Sequence, residues 1–234
     1  MSTAHLHRER VPVAVQDLAV RLGATAQCTP TTVTLTQTGR MKAGIRSRAW
    51  MAFTASQTIS ARSCTFDWRA RAGPFGLISG CDALADGEGR FDILALGFIP
   101  PARAPHTAAL VRGELMRYLA EIAWVPDAIL HNPALRWEVV DSDTFAVEAG
   151  SGETACKVLL SLDSNGRIAG AFAADRPRSA KAPTLPTPWR GRFRDYRLHC
   201  GRWLPLGAEV AWEIDGQSLA YWQGRIESWE ASGG

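Results

Sequence analysis

The sequence predicts a mainly β fold of the α+β kind: a strongly curved antiparallel sheet, or half-barrel, of roughly ten or more strands wrapped around one long helix, with a short N-terminal helix. Three observations lead there. Runs rich in threonine, valine and tryptophan recur about every ten residues with turn chemistry between them. Only one stretch, R-G-E-L-M-R-Y-L-A-E-I-A-W-V-P-D-A-I-L from Arg112 to Leu130, has a long helical pattern. That helix is apolar around most of its circumference, so it needs cover on several sides.

In chain order, residues 1–12 read as a flexible N-terminus, and the whole of 1–234 as one domain. Val15, Leu18, Ala19 and Leu22 then recur at helical spacing, with Gly23 placed to end the turn. Thr31 to Gln37 is a strand that should stop before Gly39, followed by strands over Ala49 to Ile59, Cys64 to Ala72 and Phe75 to Ala85. Asp86 to Gly89 turns the last of these into a partner strand, Phe91 to Phe98, after which Pro100, Pro101 and Pro105 lead out of the sheet.

Beyond the helix, Leu135 to Val140 and Thr144 to Ala149 flank D-S-D, and Thr154 to Leu162 and Arg167 to Ala173 flank S-N-G, a strong hairpin signal. Arg192 to His199, the strand carrying Ala208, Val210, Trp212 and Ile214, and Leu219 to Trp229 complete the set. Ala174 to Trp189 contains Pro177, Pro183, Pro186 and Pro188, too many for a central strand, and reads as a lid or rim loop; a plain surface insertion is the alternative.

Within the helix, Val111, Leu115, Tyr118, Leu119 and Ile122 share one stripe, while Glu114, Arg117 and Glu121 share a narrow charged seam. Pro126 should stop the regular helix just after Trp124. The seam has two readings. It is either a solvated strip in which Arg117 pairs with Glu114 and Glu121, or a charged line facing a cavity, where burial and a neighbouring arginine tune a carboxylate.

Composition narrows the function classes. Hydrophobic content of 46% and charged content of 21% describe a globular chain. The net charge of +3 comes from scattered arginines, with lysine only at Lys42, Lys157 and Lys181, so nucleic acid is not an expected partner. The opening residues lack the apolar core of a secretion signal and no long apolar run follows, which predicts a cytoplasmic protein with no membrane insertion. Cys28, Cys64, Cys81, Cys156 and Cys200 are widely spaced without a C-x-x-C pair, which fits reduced thiols; His5, His7, His106, His131 and His199 show no metal-binding spacing. No metal is expected. No phosphate-binding loop, dinucleotide fingerprint or nucleophile elbow occurs, so no cofactor is expected either.

The run R-Y-L-A-E-x-x-W-x-P-x-A, found between Arg117 and Leu130, resembles a motif of a bacterial family of unknown function. So do W-x-x-F-T-A-x-Q at Trp50 to Gln57 and D-x-x-x-x-G-x-G at Asp82 to Gly89. P-W-x-G at Pro188 to Gly191 and P-x-x-x-E-V-x-W at Pro205 to Trp212 complete the resemblance, which runs from about residue 30 to the end. It implies a layout similar to the half-barrel of bacterial lipoprotein carriers and no particular activity.

A half-barrel with one inner helix leaves a concave apolar face, and such a face predicts a site for a small apolar or aromatic molecule. The leading expectation is cofactor-independent acid/base chemistry of isomerase, lyase, cyclase or hydrolase type. Glu121 would be the acid or base, Arg117 the orienting cation and Asp127 a second carboxyl within reach if the chain bends back. Trp124, Tyr118, Gln57, Trp50, Arg190 and Trp212 would contact the substrate, whereas Glu209 alternates outward on its strand. The alternatives are a non-catalytic small-molecule or lipid carrier using the same cavity, and a module whose concave face takes a peptide.

Overall fold

Alternation of apolar and polar side chains gives the strands at the middle of the sheet a wet face and a dry one. In β1 (Thr32–Met41), Val33, Leu35 and Gln37 are buried while Thr34, Thr36 and Thr38 are exposed. β2 (Met51–Ser60) repeats the pattern, with Phe53, Ala55, Gln57 and Ile59 inward. In the computed structural model, which describes residues 11–25, 30–95, 99–179 and 183–233, the sheet continues through β3 (Phe66–Ala72), β4 (Ile78–Ala85), β5 (Glu88–Ala95) and β6 (Ile99–Arg103). After two helices come β7 (Arg136–Val139), β8 (Thr144–Ala149), β9 (Cys156–Leu162), β10 (Ile168–Pro177), β11 (Pro186–His199), β12 (Arg202–Ile214) and β13 (Gln217–Ser232).

These form one thirteen-stranded sheet in the order β6-β5-β4-β3-β2-β1-β13-β12-β11-β10-β9-β8-β7. Sequence neighbours pair as antiparallel hairpins, and β1 joins the two meanders by pairing with β13. The free edges β6 and β7 are therefore consecutive in the chain. Between them lie α2 (Ala108–Glu121), a short 3-10 turn (Ile122–Trp124) and α3 (Ala128–His131). α2 touches β4 and β5 on one flank and β8, β9 and β10 on the other. Strands so far apart in the sheet reach one helix only if the sheet curls around it, which is the expected half-barrel.

α2 begins where Thr107 accepts a hydrogen bond from the Leu110 backbone N–H at 3.1 Å, and Val125 leaves the helical region before Pro126 (φ −135°, ψ 62°). From Gly113 to Leu130 every residue except Arg117 is buried. A helix needs a wet stripe only when one side meets water, and here sheet surrounds it. The seam is thus interior, and its reading as a solvated strip is overturned. At the N-terminus α1 (Val13–Arg21) packs against α3 and β7, closing one end of the half-barrel, and Val11 in front of it is buried, while residues 1–10 of the stretch read as flexible lie outside the described residues.

Turn chemistry follows the sequence closely. Asp86-Gly87, Cys200-Gly201 and Asp215-Gly216 each place two residues at positive φ, the geometry that matches the twist of a two-residue hairpin. Elsewhere the sheet departs from expectation. β1 runs through Gly39 to Met41, because a Cβ at Gly39 would meet the Gln223 carbonyl oxygen at 2.1 Å and the Phe53 ring at 2.8 Å. There glycine permits close packing inside a strand rather than ending it. The segment with Pro100 and Pro101 is itself strand β6, acceptable because an edge strand can spare its donors. Positions 96–98, expected in the strand before it, lie outside the described residues.

The proline-rich stretch at 174–189 is not a free lid along its length. β10 continues to Pro177 and β11 starts at Pro186, with Arg176 opposite Thr187 and Pro177 opposite Pro186. A register shift between Ala173 and Arg176 absorbs the irregularity, which is how a bulge re-aims side chains at the end of a ladder.

Candidate functional site

Helical spacing places Arg117 and Glu121 one turn apart on α2, and the pleat brings Asp82 of β4 and Gln57 of β2 inward to meet them. Arg117 Nε donates to Glu121 Oε1 at 2.8 Å, and its Nη1 donates to Asp82 Oδ2. Gln57 donates from Nε2 to Glu121 Oε2 and accepts from Gln37 Nε2 at 3.4 Å, so both ends of its buried amide are engaged. Gln37 in turn accepts from Trp68 Nε1 at 2.8 Å. The Arg117 guanidinium stands over the rings of Phe66 and Trp68, at 4.8 and 5.2 Å. One chain of polar contacts thus runs from Trp68 of β3 through β1 and β2 to the helix and on to β4.

Burial alone would disfavour the Arg117 charge, but the carboxylates of Glu121 and Asp82 outweigh it and hold the guanidinium protonated. Glu114 goes the other way. Burial, and then the negative charge of Asp82, push its carboxyl well above the usual carboxylate range, against a smaller pull from Arg176 and Arg117. Asp82 Oδ1 and Glu114 Oε2 are both buried and find no donor among the described residues. A proton kept on Glu114 turns that group into a donor to Asp82 and satisfies both oxygens. Two arginines, Arg117 and Arg176, then face two carboxylates and one neutral carboxyl.

Arg176 enters from β10 with only 8% of its surface exposed. Its guanidinium lies 4.5 Å from the Trp189 ring centroid and 5.8 Å from that of Trp212. Trp212 stacks on Tyr221, whose hydroxyl accepts from Trp189 Nε1 at 3.1 Å. Met41, Ile45, Ile78, Ile214 and Trp222 pack half-buried against the core, toward the same end of the strands.

Of the residues expected at a site, Glu121, Arg117 and Gln57 come together, and Trp212 lies beside Arg176. The others do not join them. Asp127 bends away from Glu121 and is fully buried against Arg202 of β12, which donates to its two oxygens at 2.9 and 3.1 Å. Trp124 donates to the Pro205 carbonyl at 2.9 Å and packs edge-on against Phe193. Tyr118 donates to the Ser60 carbonyl and accepts from Asn132 Nδ2, both at 2.9 Å. Trp50 sits between Arg40 and Lys42 at the edge of the structure, with each cation under 5 Å from its ring. Arg190 faces Glu213 at 3.2 Å and is 41% exposed, because alternation from inward Trp189 turns it outward. Glu209 also points away from the cluster, accepting from Gln223 Nε2.

Asp82, Arg176, Gln37 and Trp68 belong to the cluster although sequence reasoning did not select them as site residues. Asp82 opened one of the family-like motifs, a usable signal; Arg176 fell in a stretch read as loop. Two surface depressions open away from the charged groups of the cluster. One, of about 700 Å³, lies on the outward face around Thr36, Ser56, Arg69 and Glu227, and one of about 500 Å³ lies near Arg21 and Asp163.

Burial raises the thiols of Cys64 and Cys156 to about 11, so both stay protonated, while Cys28 lies outside the described residues. His131 and His199 bond to the backbone carbonyls of Thr25 and Trp229, and His5 and His7 also lie outside the described residues. Among the described residues no three His, Cys, Asp or Glu side chains could hold a metal ion, and no helix is long and apolar enough to cross a membrane.

The model of DUF6920, a family of unknown function, matches residues 9–230. A solved LolA superfamily protein from Nitrosomonas europaea is similar at 11% identity and a TM-score of 0.48, covering 100% of this chain and 95% of its own. A DUF1329 family protein from Desulfovibrio piger is similar at 9% identity and 0.49, covering 96% and 94%. No curated protein matches.

Proposed function

The chain belongs to the DUF6920 family, whose function is unknown, and from its geometry we propose that it is a non-catalytic carrier or binding protein for a small apolar molecule. The observation that supports this reading most is the engagement of both Glu121 oxygens. Arg117 and Gln57 occupy the two oxygens of Glu121, and Arg117 itself is spent between Glu121 and Asp82. Such an arrangement cross-links helix to sheet and leaves no free acid or base on Glu121 for a substrate. One group of half-covered apolar side chains, Met41, Ile45, Ile214, Tyr221 and Trp222, stands at the end of the half-barrel that also carries Trp189 and Trp212. A ligand entering there would meet Trp212 and Trp189 first.

Displacement of a neutral fluorescent probe, N-phenyl-1-naphthylamine, by alkanols of increasing length tests the reading. Each added methylene should tighten binding about fourfold until the site is filled. Trp212→Ala should weaken binding, and Glu121→Gln should leave it unchanged in a folded protein. Absence of saturable binding for the probe and every alkanol would remove the carrier reading.

A further inference from the structure

A buried arginine is almost always paired, since an unpartnered internal charge is costly. Arg117 obeys this rule and so does Arg202. Arg176 does not. It is 8% exposed, yet its guanidinium has no hydrogen-bond acceptor and no ion-pair partner among the described residues; its ring neighbours Trp189 and Trp212 offer only π faces. The register shift before it in β10 turns it inward, toward Gly113 of α2. A Cβ on Gly113 would stand 3.9 Å from Arg176 Nε, ordinary contact distance, so the helix packs beside this side chain at a position that carries none of its own. Glu114, the nearest acidic neighbour on α2, is the natural counter-ion. Its carboxyl is turned to Asp82 instead, so it attracts Arg176 as a neighbouring group without giving the guanidinium a hydrogen-bond acceptor.

Resting on the carrier reading, we propose that Arg176 receives the head group of the ligand, and that this head group is a carboxylate at the end of an apolar chain. The guanidinium fork presents parallel N–H donors that match the two oxygens of a carboxylate, while the indoles of Trp189 and Trp212 hold its plane and exclude water. The apolar tail then runs along the half-buried side chains at the mouth, so one molecule satisfies both the unpartnered cation and the incompletely covered apolar surface. A neutral head of equal length would fill the same apolar surface and leave the fork without a bidentate acceptor.

Dodecanoate and dodecanol, competed against the neutral probe at about pH 8, where the acid is ionised, separate the possibilities. Wild-type protein should bind dodecanoate at least about tenfold more tightly than dodecanol. Arg176→Met keeps the length and packing of the side chain, and should bring the acid down to the level of the alcohol while leaving the alcohol unchanged. Equal affinities in the wild type overturn the carboxylate assignment but leave the carrier reading standing, as would a water molecule satisfying Arg176. A preference for the acid that survives Arg176→Met places the carboxylate elsewhere and also overturns it. Failure of both compounds to displace the probe removes the carrier reading and this inference together. If Arg176→Met does not fold, the wild-type comparison of acid with alcohol decides alone.

Discussion

Arg117 and Arg202 both carry a charge into the interior, and they are neutralised in opposite ways. Arg202 meets one carboxylate, Asp127, through two hydrogen bonds, and Asp127 has no exposed surface. Arg117 is shared between Glu121 on its own helix and Asp82 across the half-barrel, with Glu114 behind them. The first pair is closed: each group has what it needs, and the contact pins the turn after Trp124 to the start of β12. The second is a junction with more carboxyl oxygens than donors, and it balances only by keeping a proton. Full satisfaction marks a structural lock, whereas leftover polar atoms mark a place where a proton or a ligand has a role.

Breaking the lock should have the largest effect. Asp127→Ala leaves Arg202 buried without its carboxylate and should cost about 3–5 kcal/mol, read as a fall in the urea midpoint. A cost below about 1 kcal/mol would mean that the lock is no tighter than a surface pair.

The junction should answer to pH. Glu114 has a raised folded-state value, so the folded chain holds a proton that the unfolded chain releases above its ordinary value of 4.5. Stability is then fully present below that point and declines as pH rises toward the folded value, by up to about 1.4 kcal/mol per pH unit. Glu114→Gln keeps the shape and a donor toward Asp82 while removing the proton. Its stability should therefore fall less steeply above about pH 5 than that of the wild type, as measured by urea denaturation across the range. Parallel pH profiles for the two proteins would show that no proton is held at the junction.

A smaller effect calibrates both. Lys157 bridges Glu138 and Glu148 at 2.9 and 2.8 Å but is 48% exposed, so Lys157→Met should leave the urea midpoint close to that of the wild type. A larger loss would mean that ion pairs on the outer face matter as much as those around the helix.

Much of this was legible in the chain. Period-two alternation marked the strands, Asp-Gly pairs marked two of the hairpin turns, and the helix with its Glu114, Arg117 and Glu121 line stood out by spacing alone. The motif from Arg117 onward also pointed to the family. Gln57 could be foreseen as a buried amide needing two partners. Asp127 and Arg190 could not be placed, because one depends on the path of the chain after Pro126 and the other on which face of β11 turns inward.

The sequence by itself determined the periodicities, the turns and the identity of the inner helix, since each depends on contacts within a few residues of chain. The tertiary structure decided which carboxylate meets which arginine. Asp82 lies 35 residues from Arg117 and Asp127 lies 75 from Arg202, and only closure of the sheet around the helix brings them together. It also decided that the charged seam is dry, because the burial of a helix face depends on what the rest of the chain packs against it, and no local pattern records that.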